Sequence, residues 1–234
     1  MPPKIDWAWI DGEIAGFLAA CVDVLDRDPT VVLASPATML IDEAGLPLPY
    51  SVKLGGMVDR SGACWPMMPE KNDGLMASDP AVRFEAVMLN MRMCVEIFGL
   101  MRRSMMMRTS LIRPFRMGDK VMLAEMSLLG RFWLGQETLF FRRCHAKAAT
   151  SAASDAYRAE WFSGRRDSKF VQRIRLLLAY CRAPYTAELT VRQRYTCLRA
   201  IARRAKPLRR LTGAVGETIQ HFIQAVTSYT PPRP

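Results

Sequence analysis

The sequence predicts an α/β core over residues 1–152 that gives way to a helical, strongly basic extension over residues 153–234. Three features lead there. A helix-period segment near the start is followed by two β-rich runs and a Gly/Pro turn, a succession typical of α/β domains. A second helix-then-strand succession follows between about residues 119 and 144. The positive charge is gathered at the C-terminal end.

The elements follow in order. IAGFLAACVDVLDR, residues 14–27, places Phe17, Cys21, Val24 and Leu25 on one helical face, and Asp28-Pro29 stops that helix. TVVLAS and TMLID are β-rich runs on either side of Ser35-Pro36, and EAGLPLP turns the chain. Residues 52–78 lack a sustained period and read as a long loop. Ser78-Asp79-Pro80 signals a helix start, with Asp79 as cap and Pro80 in the first position, and the helix is expected through VRFEAVMLNMRM. VEIFGLMRR reads as a short strand and SMMMRTSLI as a helical turn whose methionines pack. Asp119 is expected to cap the helix KVMLAEMSLLG, which ends at Gly130, and RFWLGQETLFFRRC is a strand. Helices are expected over SDAYRAEWF, 168–183, 187–205 and 214–228, with Pro184 and Pro207 as breaks.

Half of the 234 residues are hydrophobic, enough for a sizeable core, and this excludes a disordered chain. No run of about 18 uncharged apolar residues occurs, which argues against a spanning helix. The N-terminus lacks a secretory pattern, so a cytoplasmic location is expected. The six cysteines form no CxxC pair, and with only two histidines, His145 and His221, any His-rich metal site is excluded. Residues 164–210 hold fourteen Lys or Arg against Asp167 and Glu188, so this segment carries the whole net charge of +11. Such a block suits a solvated helical face, an anionic membrane surface or nucleic acid. Its aromatic residues do not interleave as a nucleic-acid reader requires, which argues against the last.

WIDGEIAGFLAACVDVLDRDPTVVLASPATMLIDEAG, RFEAVMLNMRMCVEIFGLMRRSMMMRTSLI, GDKVMLAEMSLLGRFW and LFFRRCHAKAATSAAS resemble, in order and spacing, successive blocks of bacterial family 2 glycosyltransferases. The resemblance implies a partial GT-A, Rossmann-like core that starts where the family's nucleotide-binding half ends. It implies inverting transfer of a sugar from a nucleotide-sugar donor to an acceptor hydroxyl on a glycan, a lipid-linked compound or a small molecule. The alternative is an inactive fragment or remnant that serves as an interaction module. The resemblance also implies peripheral contact of the basic extension with the inner membrane face, where lipid-linked acceptors lie.

On that resemblance each candidate residue takes a role. Asp11 falls on the last aspartate of the family's metal motif, although Trp9 and Ile10 replace the polar residues before it, and Glu13 is a further carboxylate nearby. The metal would be Mg²⁺ or Mn²⁺, which prefer carboxylate oxygens. Asp119 would take the proton from the acceptor hydroxyl, a role worth about 10² to 10⁴ in rate; a helix cap, worth about 1 kcal/mol, is the structural reading of the same residue. His145 would assist at the metal or the diphosphate. Arg142 and Arg143 are candidates for the leaving-group charge, with strand alternation turning one of them to the site. Arg102 and Arg103 are weaker candidates for that charge. Glu125 is expected to bind a neighbouring arginine or the backbone.

Overall fold

The computed structural model describes residues 7–59, 62, 64–65, 74–144, 169–205 and 224, with no side-chain placement for 7–14, 64–65 and 169–170. Helix α1 (Trp7–Arg27) starts earlier than its apolar period suggested and ends, as expected, ahead of Asp28. The Asp28 carboxylate accepts from the amide and the hydroxyl of Thr30 at 2.8 and 2.6 Å, a turn that redirects the chain into strand β1 (Val31–Ile41). The Thr30 hydroxyl holds the Asp28 carboxyl below its ordinary range.

The two β-rich runs around Ser35-Pro36 form one continuous strand. Proline has no amide to donate and is tolerated in a paired strand where the ladder is already interrupted. The interruption is present: β1 pairs in parallel with β6 (Arg131–Arg143), and the register shifts between Ser35 and Ala37 and again between Ala37 and Thr38. On its other side β1 pairs antiparallel with the two-residue strand β5 (Leu100–Met101), giving the order β5-β1-β6. An earlier shift, between Val31 and Leu33, lets Val32 and Leu33 enter the same hydrophobic cluster while Val31 and Ala34 pack against α1 with Cys21 and Leu25.

The long segment after residue 50 is not wholly irregular. It contains a small antiparallel sheet of β2 (Tyr50–Ser51), β3 (Gly56–Val58) and β4 (Cys64–Trp65). Helix α2 (Pro80–Leu89) begins as read, with the Asp79 side chain accepting the Ala81 amide at 2.9 Å. It ends at Leu89, earlier than NMRM would suggest, because the chain passes through left-handed Cys94 into a 3₁₀ turn over Val95–Phe98. The strand expected in VEIFGLMRR is therefore confined to Leu100–Met101, and α3 (Arg103–Met106) is the expected helical turn. Met105 and Met106 pack on the main cluster, whereas Met107 is exposed.

Helix α4 (Gly118–Leu129) buries nearly every residue, since it lies beneath α2 and against β1 and the C-terminal helices. Helices α5 (Lys169–Arg182) and α6 (Val191–Ala205) contribute Ala179, Tyr180, Cys197, Ala200 and Ile201 to the cluster formed by α2, α4, Val32 and Phe132. The described part of the basic extension is thus built into the core. Three of its arginines, Arg192, Arg199 and Arg203, sit close to one exposed stripe of α6, where Arg203 pairs with Glu85 at 2.5 Å. The expected helices at SDAYRAEWF and 214–228 lie outside the described residues, except Gln224, which is helical.

Two buried cations tie α2 to α4. Arg83 donates from Nε to the Ser127 carbonyl at 2.7 Å and from its terminal nitrogens to Leu128 at 3.5 Å, Ala77 at 2.7 Å and Ser78 at 2.9 Å. Lys120 is fully buried and donates to the carbonyls of Met88 and Met91 at the end of α2. Arg83→Ala is expected to lower stability by about 3 kcal/mol, since it strands several buried carbonyls at once; the denaturation midpoint in urea measures it.

Burial pushes the Cys197 thiol up to about 12. Its ordinary value is 9.0, so the unfolded thiol ionises first and the stability that burial of the neutral thiol supplies is intact below pH 9. That contribution is expected to fall as pH rises from 9 towards 12. The loss should vanish in Cys197→Ala, compared by denaturation at each pH.

Candidate functional site

Asp119 occupies the first turn of α4 but is not its cap. The cap position is Met117, in the left-handed region at φ 66°, and Gly118 is the first helical residue. From inside the helix the Asp119 Oδ1 accepts the Lys120 amide at 2.8 Å, satisfying one of the first-turn N–H groups. Among the described residues no ion pair engages the carboxylate, and its surface is partly open. Tyr180 of α5 lies close enough for the Asp119 charge to help raise its phenol, after burial as the main cause. The Tyr180 hydroxyl is enclosed without a hydrogen-bond partner.

The loop that delivers Asp119 is held tightly. Leu111 and Met117 are both left-handed, at φ 54° and 66°, a costly conformation for bulky side chains that the surrounding packing must impose. Gly118 is required for a different reason, because a Cβ there would stand 2.3 Å from the Arg113 carbonyl oxygen. The close approach presses loop 111–117 against the start of α4.

The arginine pair divides as strand alternation requires. Arg143 donates to the carbonyls of Asp42 at 3.0 Å and Glu43 at 2.7 Å, so it anchors the turn after β1. Arg142, paired in register with Leu40, makes no such bond. Of the two, Arg142 is the one available to an anion. Arg102 is not: its guanidinium donates to the carbonyls of Val31, Leu25 and Asp28, joining the end of α1 to the start of β1. Arg103 is exposed on α3.

Asp11 and Glu13 fall within α1, not in a turn ahead of it, and their side chains lie outside the described set, as does the whole of His145. Among the described residues no group of three or more His, Cys, Asp or Glu comes together as a metal cage. No hydrogen bond or ion pair joins Asp119 to Arg142 or Arg143, so these residues are not brought into contact.

Glu125 has the structural role expected of it, and its partner is the backbone. Its Oε2 accepts the Ser110 amide at 2.6 Å, which explains a carboxylate in an otherwise apolar helix. Beside it opens a cavity of about 390 Å³, lined by Arg108, Ser110, Arg113, Glu125, Arg182 and Tyr185 among others. The sequence reading missed this group. Arg182 is separated from Arg113 by more than sixty residues, and only the docking of α5 on α4 brings them together.

Comparison with protein-family models, with curated proteins and with solved structures finds no match to the chain. Among the described residues no helix is long and apolar enough to cross a membrane.

Gly118→Ala is expected to destabilise the fold by about 1–3 kcal/mol, because the added methyl must displace loop 111–117 or the start of α4. Thermal unfolding measures the loss, and a full-strength melting transition would count against the close packing of this loop.

Proposed function

We propose that the chain is part of an inverting glycosyltransferase of the family 2 type, in which Asp119 is the general base. The observation that carries the reading is the state of Asp119. It sits at a helix start, partly open, with one oxygen bound to its own helix and, among the described residues, no cation paired with the other. A base needs an ionised carboxylate held in a fixed position with an accepting lone pair left over. The resemblance of four ordered sequence blocks supports the same assignment.

In this reading the acceptor hydroxyl donates its hydrogen to Asp119 as its oxygen attacks the anomeric carbon. The nucleoside diphosphate departs from the opposite face. Arg142 contributes positive charge to the departing phosphates, and Arg143 fixes the turn beside it. Mg²⁺ or Mn²⁺, held by Asp11 and His145 with Glu13 nearby, would supply further charge to the same leaving group. The acceptor is a glycan, a lipid-linked compound or a small molecule. Arg192 and Arg199 on the outer face of α6 support peripheral contact with an anionic membrane surface at the cytoplasmic side, each basic residue contributing about 1 kcal/mol, whereas Arg203 is already paired with Glu85.

Calorimetry with UDP, GDP and dTDP in the presence of Mn²⁺ tests the donor side. Binding of one of them is expected, and binding of none would favour the interaction-module alternative. In a preparation that turns over, Asp119→Asn is expected to keep donor affinity and to lose about 10² to 10⁴ in rate. Unchanged turnover would remove the base.

A further inference from the structure

Three guanidinium groups from three separate elements converge on the cavity beside Glu125. Arg108 comes from the turn after α3, Arg113 from the strained loop before α4, and Arg182 from the last position of α5. Among the described residues none of the three has a carboxylate partner, and the polar contact that their side chains make there is that of Arg108 with the Met105 sulfur at 3.5 Å. Glu125 faces the same cavity but is engaged with the Ser110 amide.

Like charges gathered around one space repel, and the repulsion is stronger where water is partly excluded. Part of the desolvation is already in place. The Arg113 Nε and the Ser110 Oγ are closed off from solvent and have no hydrogen-bond partner. A group that gathers partly dehydrated guanidinium donors with one carboxylate has a net charge of +2 and is electrostatically incomplete without an anion.

The adjoining cavity, of about 550 Å³, shares Arg113, Ala179 and Arg182 with the first and is otherwise lined by Pro114, Phe115, Leu178 and Arg175. Leu178 is 58% exposed there, an apolar side chain without cover. The two spaces therefore offer a charged end, and beside it a second space in which Pro114, Phe115, Leu178 and Ala179 supply apolar surface next to Arg175, at volumes usual for small-molecule sites.

We propose that this double cavity binds a small phosphate monoester, with its phosphoryl group among Arg108, Arg113 and Arg182 and its organic group against Phe115 and Leu178. A dianionic phosphate matches the charge of +2, and guanidinium groups suit its oxygens. The site is separate from the Arg142 end of β6 and stands whether or not the chain transfers sugar.

Titration calorimetry with hexyl phosphate, inorganic phosphate and 1-hexanol tests the site on the full chain. Hexyl phosphate is expected to bind more tightly than inorganic phosphate, and hexanol not to bind. Affinity should rise between pH 5 and pH 7.5, as the second phosphate proton leaves near pH about 6. Arg113→Gln with Arg182→Gln should weaken hexyl phosphate by about tenfold or more, whereas Arg27→Gln, exposed at the end of α1, should bind as the unchanged chain does. Far-UV circular dichroism and the urea midpoint establish that the double variant is folded, and Arg108→Gln replaces it if it is not. Absence of binding by either phosphate, an unaffected cavity-arginine variant, or equal weakening in Arg27→Gln would each overturn the proposal.

Discussion

Helices α2 and α4 are held by a reciprocal exchange of cations. Arg83, in the first turns of α2, reaches the last carbonyls of α4, and Lys120, in the first turn of α4, reaches the last carbonyls of α2. A cation near the start of its own helix opposes that helix's dipole, but at the end of a neighbour it complements one. Only an antiparallel pair allows both at once. Because each cation satisfies carbonyls that have no partner inside their own helix, neither end can be shifted by a turn without leaving buried polar groups exposed to an apolar core. The sheet packs on one side of this pair and the C-terminal helices on the other, so the position of Asp119, Glu125 and loop 111–117 follows from it.

The elements whose signals are local were legible in the sequence. The apolar stripe of α1, the Asp79-Pro80 start of α2, the Gly130 stop of α4 and the strand after it all depend on neighbours a few residues away. The misreadings share a different origin. The burial of Lys120 was not read at all, because sequence period cannot show that a cation will find carbonyls thirty residues back. Asp119 looked like a cap, because Asp after Gly is a common helix start; the left-handed Met117 took that position instead. Arg102 looked available to phosphate, yet it is drawn to the end of α1 by a contact spanning more than seventy residues.

The candidate catalytic group was legible only through the order of whole blocks, and only Asp119, Arg142 and Arg143 can be placed by their side chains. The structure sharpens the arginine question by engaging Arg143 and leaving Arg142. The arginine-lined cavity belongs to the opposite category. No local pattern marks it, since Arg108, Arg113 and Arg182 are unremarkable where they occur and become a group only through the docking of α5.

The break in the β1–β6 ladder gives the sheet two sections of unequal support. Before it, Val31–Ser35 and Arg131–Leu134 are clamped between α1 and the α2–α4 pair; beyond it, Thr38–Ile41 and Phe140–Arg143 carry on, with Phe140 between the rings of Phe17 of α1 at 6.4 Å and Phe98 of the 3₁₀ turn at 5.2 Å. The distal section has a small core of its own, in which Leu40, Leu48 and Cys144 are buried with Met57 and Met93 packed against them. The placement of Arg142 then depends less on the central packing than on this second cluster and on the two bonds through which Arg143 moors the strand end to the turn at Asp42 and Glu43.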